Sequence, residues 1–292
     1  MTSNSAVLPV VFGVDAVQPA DAALDWAADE AARRGAPLQL VHAVLPATHH
    51  VRGAEDTAHH KGLRRLGDEA LDKATVRAHE RHPELEVTAF VADGTPAKVL
   101  VRRSAHARLL VLGSRGLGRL AEALSTLSTT VPVSAHAACP VAVVPEAGRL
   151  VEEPPYLVVG LDGSPSAEAA LDHALEAAAA RGASVRAVWV WQRPLLGLCD
   201  EEAALEACRR HLHEVVDRRA DVYRNVPLSQ NVLRGHPVDA LAAAAENSLA
   251  VVVGRRGREG FTGMRLGSVP HGLLHRASCS VITVPPPSGE EP

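Results

Sequence analysis

An α/β protein of two tandem doubly wound domains, each a five-stranded parallel sheet with helices on both faces, is what this sequence predicts. Three observations carry the prediction. The chain repeats itself. Each repeat alternates continuous apolar runs with segments of helical periodicity. A glycine-rich loop follows the fourth apolar run of the second repeat, at the carboxyl edge where open parallel sheets hold their ligands.

The repeat is direct. "VVFGVDAVQPADAALDWAADEAARRGAPLQLVHAV" (Val10 to Val44) matches "LVVGLDGSPSAEAALDHALEAAAARGASVRAVWVW" (Leu157 to Trp191), so Gly13, Asp15 and Gly35 recur as Gly160, Asp162 and Gly182. "GTPAKVLVRRSAHARLLVLGSRG" (Gly94 to Gly116) matches "GHPVDALAAAAENSLAVVVGRRG" (Gly235 to Gly257), and "CPVAVVP" (Cys139 to Pro145) matches "CSVITVP" (Cys279 to Pro285). Between the copies lies "EAGRLVEEPP", charged and closed by two prolines that resist regular structure. The expected domains are therefore 1–147 and 148–292.

In the second repeat, strands are expected near 156–162, 184–190, 228–234, 249–254 and 280–284, each a continuous apolar run of the kind buried on both sheet faces. Helices fill the intervals. Leu171, Ala174, Leu175 and Ala178 share one helical face, and Leu24, Ala27, Ala28 and Ala31 repeat it in the first copy.

Composition narrows the function. Hydrophobic residues make up 47% of 292, enough for a core in each domain, and the formal net charge of −4 argues against a generic nucleic-acid binder. No apolar run approaches a membrane span, so the expectation is a soluble cytoplasmic protein without membrane or nucleic-acid partners. The four cysteines form no CxxC pair. His49, His50, His59 and His60 cluster in "THHVRGAEDTAHH" but lack fixed ligand spacing and read as a solvated loop entering a helix, so no metal site is predicted. His211 and His213 lie two apart on a predicted helix and do not share a face.

The loop runs Gly254-x2-Gly257-x9-Gly267-Ser268. Glycines admit positive φ and close backbone approach. Ser268 opens a predicted helix reaching about Arg276, and a helix start presents free N–H groups that suit phosphate. Arg255, Arg256, Arg258 and Arg265 add guanidinium charge nearby, and "LDGSPS" brings Asp162, Gly163 and Ser164 to the same rim. There Asp162 can accept from a ribose or a base, or face a metal bound to phosphates. The loop is neither GxxxxGK(S/T), since the second half holds no lysine, nor GxGxxG, which follows the first strand.

These residues resemble the universal stress protein family in its tandem form, over nearly the whole chain. Gly254, Gly257, Gly267 and Ser268 match the family's G-x2-G-x9-G-(S/T) motif, and "VVGLDGS" and "GHPVDALAAAAEN" resemble its first strand and third-helix entry. The resemblance implies an ATP-binding regulator of stress responses, with ATP and Mg2+ as its cofactors. Asp162 and Val188 would approach the adenosine, and Gly254, Gly257, Gly267 and Ser268 the phosphates. Gly163, Ser164, Arg258 and Val269 complete the expected binding set. The family's pairing implies a homo-oligomer or an internal pseudo-dimer. A slow ATP-hydrolysing or group-transferring enzyme is the alternative, with Asp162 and His271 the only general bases near the loop; a scaffold without nucleotide is another.

The first copy departs twice. "VDAVQP" replaces "LDGSPS", and aligning back from Cys139 sets Leu127 against Gly267 and Ser128 against Ser268. Leucine lacks glycine's access to positive φ and would fill the phosphate space. The first domain is therefore expected to bind nucleotide weakly or not at all.

Overall fold

A computed structural model describes residues 7–46, 54–114, 129–146, 151–193, 200–258 and 265–287. The chain divides into two compact units, residues 1–147 and 148–292.

The first unit runs β1 (Val10–Gly13), α1 (Asp21–Arg34), β2 (Leu38–Val44), α2 (Ala54–Arg81), β3 (Val87–Asp93), α3 (Pro96–Ser104), β4 (Leu109–Ser114), α4 (Thr130–His136) and β5 (Val141–Pro145). Its strands pair in parallel in the order β3-β2-β1-β4-β5. The second unit repeats this: β6 (Tyr156–Leu161), α5 (Pro165–Ala179), β7 (Ser184–Trp191), α6 (Glu201–Ala220), β8 (Leu228–Arg234), α7 (Pro237–Ala244), β9 (Ala250–Gly254), α8 (Ser268–Arg276) and β10 (Ser280–Val284). Its parallel order is β8-β7-β6-β9-β10.

The most apolar runs become inner strands because both of their faces are covered; β8, expected as a buried apolar run, is instead an edge strand of exposed and half-buried residues, since Ser229, Gln230, Asn231 and Arg234 interrupt it. Val158, Val188, Val251, Val253 and Val281 point to one face, where Val238 and Leu241 of α7, its C-cap Ala245 and Leu273 of α8 close over them. α5 packs on the opposite face and buries Ala170, Leu171, Ala174, Leu175 and Ala178. In both units a left-handed glycine closes the turn after the first helix, at the C-cap of α1 and three residues past the end of α5. Gly35 has φ 57° and Gly182 has φ 62°, and in each case the next N–H returns to a carbonyl of the last turn, Ala36 to Ala31 and Ala183 to Ala178, both at 3.0 Å.

Charge clips the outer helix to its neighbour. Arg77 of α2 grips Asp25 of α1 at 2.7 and 2.8 Å, and one turn on Arg81 and His82 converge on Asp29. In the second unit Arg219 of α6 spans Asp172 at 2.6 Å and Glu168 at 3.0 Å. His59 and His60 lie on α2, while His49 and His50 fall outside the described residues. His60 is occupied locally, by the Leu45 carbonyl at 3.1 Å and Asp93 at 3.5 Å. Among the described residues no group of three or more His, Cys, Asp or Glu could hold a metal ion, and no helix is long and apolar enough to cross a membrane.

Candidate functional site

In the second unit β6 and β9 are neighbours in the sheet, yet their chains leave toward opposite faces. Two loops meet at this switch point, residues 162–164 after β6 and 255–258 after β9, and open parallel sheets hold ligands at such points.

The first loop is an Asp-Gly-Ser turn. The Asp162 Oδ1 atom accepts the Ser164 N–H at 3.0 Å, and Gly163 takes φ 77°, a conformation that side chains disfavour. Ser164 is the N-cap of α5; its Oγ accepts the Ala167 N–H at 3.2 Å. Pro165 follows at the first helical position.

Two hydrogen bonds tie this turn to the second loop. Arg258 N–H donates to Asp162 Oδ2 at 3.2 Å, and Ser164 Oγ donates to the Arg256 carbonyl at 3.2 Å. Ser166, which the sequence reading did not single out, donates to the Val284 carbonyl at 2.9 Å and is buried. The loops are also in close contact. A Cβ on Gly254 would lie 2.7 Å from both Ala167 N and Ser166 C, and one on Gly257 would collide with Asp162 Oδ2. Backbone packing demands glycine at Gly254, while at Gly257 a side chain would have to displace the Asp162 carboxylate.

Gly267 is different. Its N–H donates to the Arg255 carbonyl at 2.9 Å, and Arg255 N–H in turn donates to the Val284 carbonyl at 2.7 Å, which fixes where α8 begins. Gly267 is the N-cap, with φ −66° and ψ 161°, and no side chain caps the helix. Of the two uses glycine allows, positive φ is not the one made here: Gly254, Gly257 and Gly267 all have ordinary φ, whereas Gly163 does not. A Cβ on Gly267 would meet Arg255 O and Pro270 Cδ at 3.5 Å, ordinary contact. Neither the backbone nor packing among the described residues therefore requires glycine there. Beside it, the N–H groups of Ser268 and Val269 have no acceptor among the described residues, and Pro270 has no N–H to offer.

The arginines are not equivalent. Arg255, one of the four arginines counted as charge beside the loop, is only 4% exposed. Arg258 and Arg265 are exposed. Arg256 is half-buried, and its Nε is shielded with no hydrogen-bond acceptor among the described residues.

Asp162, Gly163, Ser164, Gly257 and Arg258 thus form one bonded cluster, with Gly254 packed on α5 and with Gly267, Ser268 and Val269 at the start of α8. Val188 stands apart: its side chain is 2% exposed and belongs to the apolar layer under α7. The next residue, Trp189, turns to the other face and reaches the rim. Its ring packs edge-on against His211 of α6 at 5.5 Å, and both rings lie over Gly163. Strand alternation was the signal for this, since consecutive residues cannot share a face. His213 pairs separately with Asp217 at 3.1 Å. His271, one turn into α8, has its pKa lowered, first by burial and then by His275, whose ring lies 4.8 Å away.

The first unit builds its rim otherwise. Asp15 Oδ1 accepts from Val17 N at 2.9 Å and Gln18 N at 3.2 Å, and α1 begins only at Asp21, with no side-chain cap. A carboxylate, Glu146, takes the Ala22 N–H at 3.4 Å; proline follows Pro285 at the matching place in the second unit. Gly116, Leu127 and Ser128 lie outside the described residues.

The model of the universal stress protein family matches residues 8–145 and again 156–285. The chain belongs to this family. A universal stress protein of Mycobacterium tuberculosis is 34% identical over 94% of this chain and 95% of its own length, and one from Mycolicibacterium smegmatis is 31% identical over 98% and 100%. A crystal structure of a universal stress protein from Archaeoglobus fulgidus superposes with a TM-score of 0.73 at 17% identity, covering 97% of this chain and 98% of that one, and shares its fold.

Proposed function

We propose that this universal stress protein is a nucleotide-dependent regulator that holds one ATP at the β6–β9 crevice of the second unit, while the first unit, with its degenerate motif, holds none. The observation that carries the reading is Gly267. A glycine stands where the fold tolerates a side chain, beside two N–H groups without acceptors among the described residues. A phosphate chain accounts for both: it needs the space, and it accepts from Ser268 and Val269. Arg258 and Arg265 add exposed positive charge, and the shielded Nε of Arg256 is a further donor suited to an anion.

The roles follow from position. Gly254 and Gly257 let the loop lie against α5 and Asp162. Gly267, Ser268 and Val269 hold phosphate, and Asp162, Gly163, Ser164 and the backbone of Val188 bound the adenosine side. A carboxylate at Asp162 has lone pairs beyond the two in use, so it can also face a Mg2+ carried by the nucleotide. The rim of the first unit supports the single-site reading, because Glu146 places a negative charge at its first helix and no Ser caps that helix.

The test is to release ligand from purified protein with acid, identify it by chromatography as ATP, AMP or cyclic AMP, and then titrate nucleotide-free protein calorimetrically. About one ATP per chain is expected. No nucleotide bound in either measurement overturns the proposal, and two equivalent sites overturn the assignment to the second unit.

A further inference from the structure

We infer that Asp162 is a positioning residue for the phosphate-binding loop, fastening it through Arg258 rather than serving the nucleoside alone. The inference rests on the nucleotide-binding proposal for the same crevice. Its basis is that both carboxylate oxygens are engaged within the protein. Oδ1 accepts the Ser164 N–H at 3.0 Å and closes the turn after β6. Oδ2 accepts the Arg258 N–H at 3.2 Å, across 96 residues of sequence. Gly257 has no room for a side chain because Asp162 Oδ2 occupies it.

The Ser164 hydroxyl adds a second fastening to the Arg256 carbonyl at 3.2 Å. Residues 256–258 are therefore held by the loop of another strand, and that part of the glycine loop takes its place only when Asp162 and Ser164 are in theirs. The chemistry is particular. A carboxylate beside a phosphate site repels phosphate, so a side chain kept there for charge alone weakens anion binding. A carboxylate that accepts two N–H groups organises the loop more than its charge opposes the ligand. Asparagine cannot replace it: its amide oxygen satisfies one N–H, and its NH2 group then faces the other.

Inorganic tripolyphosphate separates the two roles, since it has neither base nor ribose. Calorimetry should show Asp162→Ala weakening tripolyphosphate by at least about tenfold, and Asp162→Asn falling between it and the parent, with the melting temperature little changed. Adenosine, titrated alone, measures any direct contact with the nucleoside. Unchanged or tighter tripolyphosphate binding in either variant overturns the inference. If the parent protein binds no tripolyphosphate, the nucleotide proposal is judged by the ATP titration alone. The strut is then judged by hydrogen exchange at the Arg258 amide, which should quicken by about tenfold in Asp162→Asn; equal exchange overturns it.

Discussion

Replacing Gly267 by alanine separates a binding role from a structural one, because the structure assigns the two effects opposite magnitudes. On the stability side little should change. The new Cβ meets Arg255 O and Pro270 Cδ at 3.5 Å, and φ −66° suits any residue. A stiffer unfolded chain favours the variant by about 0.4–1 kcal/mol, and the poorer helix cap costs a similar amount. The melting temperature should stay within about 3 °C of the parent. On the binding side, with phosphate seated as proposed, the methyl group takes space that the phosphate needs. Moving the phosphate away from even one of the Ser268 and Val269 N–H groups loses a charge-assisted hydrogen bond of about 1.5–3 kcal/mol, or roughly 10–100-fold in affinity. Leucine should do more. Calorimetric titration with ATP and a thermal melt without it measure both quantities. Gly254→Ala is the opposite case: its Cβ would sit 2.7 Å from the backbone of Ser166 and Ala167, so it should lower stability by about 1–3 kcal/mol. A folded Gly267→Ala protein that binds ATP as tightly as the parent would refute the reasoning, and the loop would be a connection only.

Gly272→Ala should also destabilise, by about 1–3 kcal/mol in denaturant titrations, because its Cβ would lie 2.6 Å from Val238 Cγ2 where α8 crosses α7; an unchanged midpoint would show that the helices can separate at no cost. Burial pushes the Cys139 thiol up to about 12, so iodoacetamide at pH 8 should leave it unmodified in the native protein and label it after unfolding, and rapid native labelling would count against that burial. Burial raises the Asp29 carboxyl, but the hydrogen bonds from Arg81 and His82 outweigh it and hold the group below its ordinary value. A lowered carboxyl stabilises above its unfolded value and loses that contribution as pH falls through the folded one. Asp29→Asn should therefore be less stable than the parent at neutral pH and converge with it below about pH 4; a gap that persists into acid would assign the effect to packing.

The sequence by itself determined the fold. A repeat with continuous apolar runs between helical stretches leaves a buried parallel sheet as the solution, since such strands have no face to turn to water. Strand ends fell within a residue or two of expectation; for instance the run expected at 249–254 forms β9 at Ala250–Gly254. The motif spacing also led to the family, because glycines at those separations need no tertiary information to be recognised. What spacing could not tell was why each glycine is there. Gly254 is forced by the backbone of Ser166 and Ala167, Gly257 makes room for the Asp162 carboxylate, and Gly163 takes a left-handed turn. Gly267 is forced by nothing within the described protein. The sequence likewise offered Asp162 as an acceptor for a ribose or base and Arg255 as guanidinium charge beside the loop. Folding engaged the first with two N–H groups and buried the second, because burial and hydrogen-bond partners depend on which loops the sheet brings together. Val188 and Trp189 are neighbours in the chain, yet one lies in the core and the other covers the rim. Strand alternation decides that they part; only the packing of α6 and α7 on opposite faces decides which of them meets the crevice.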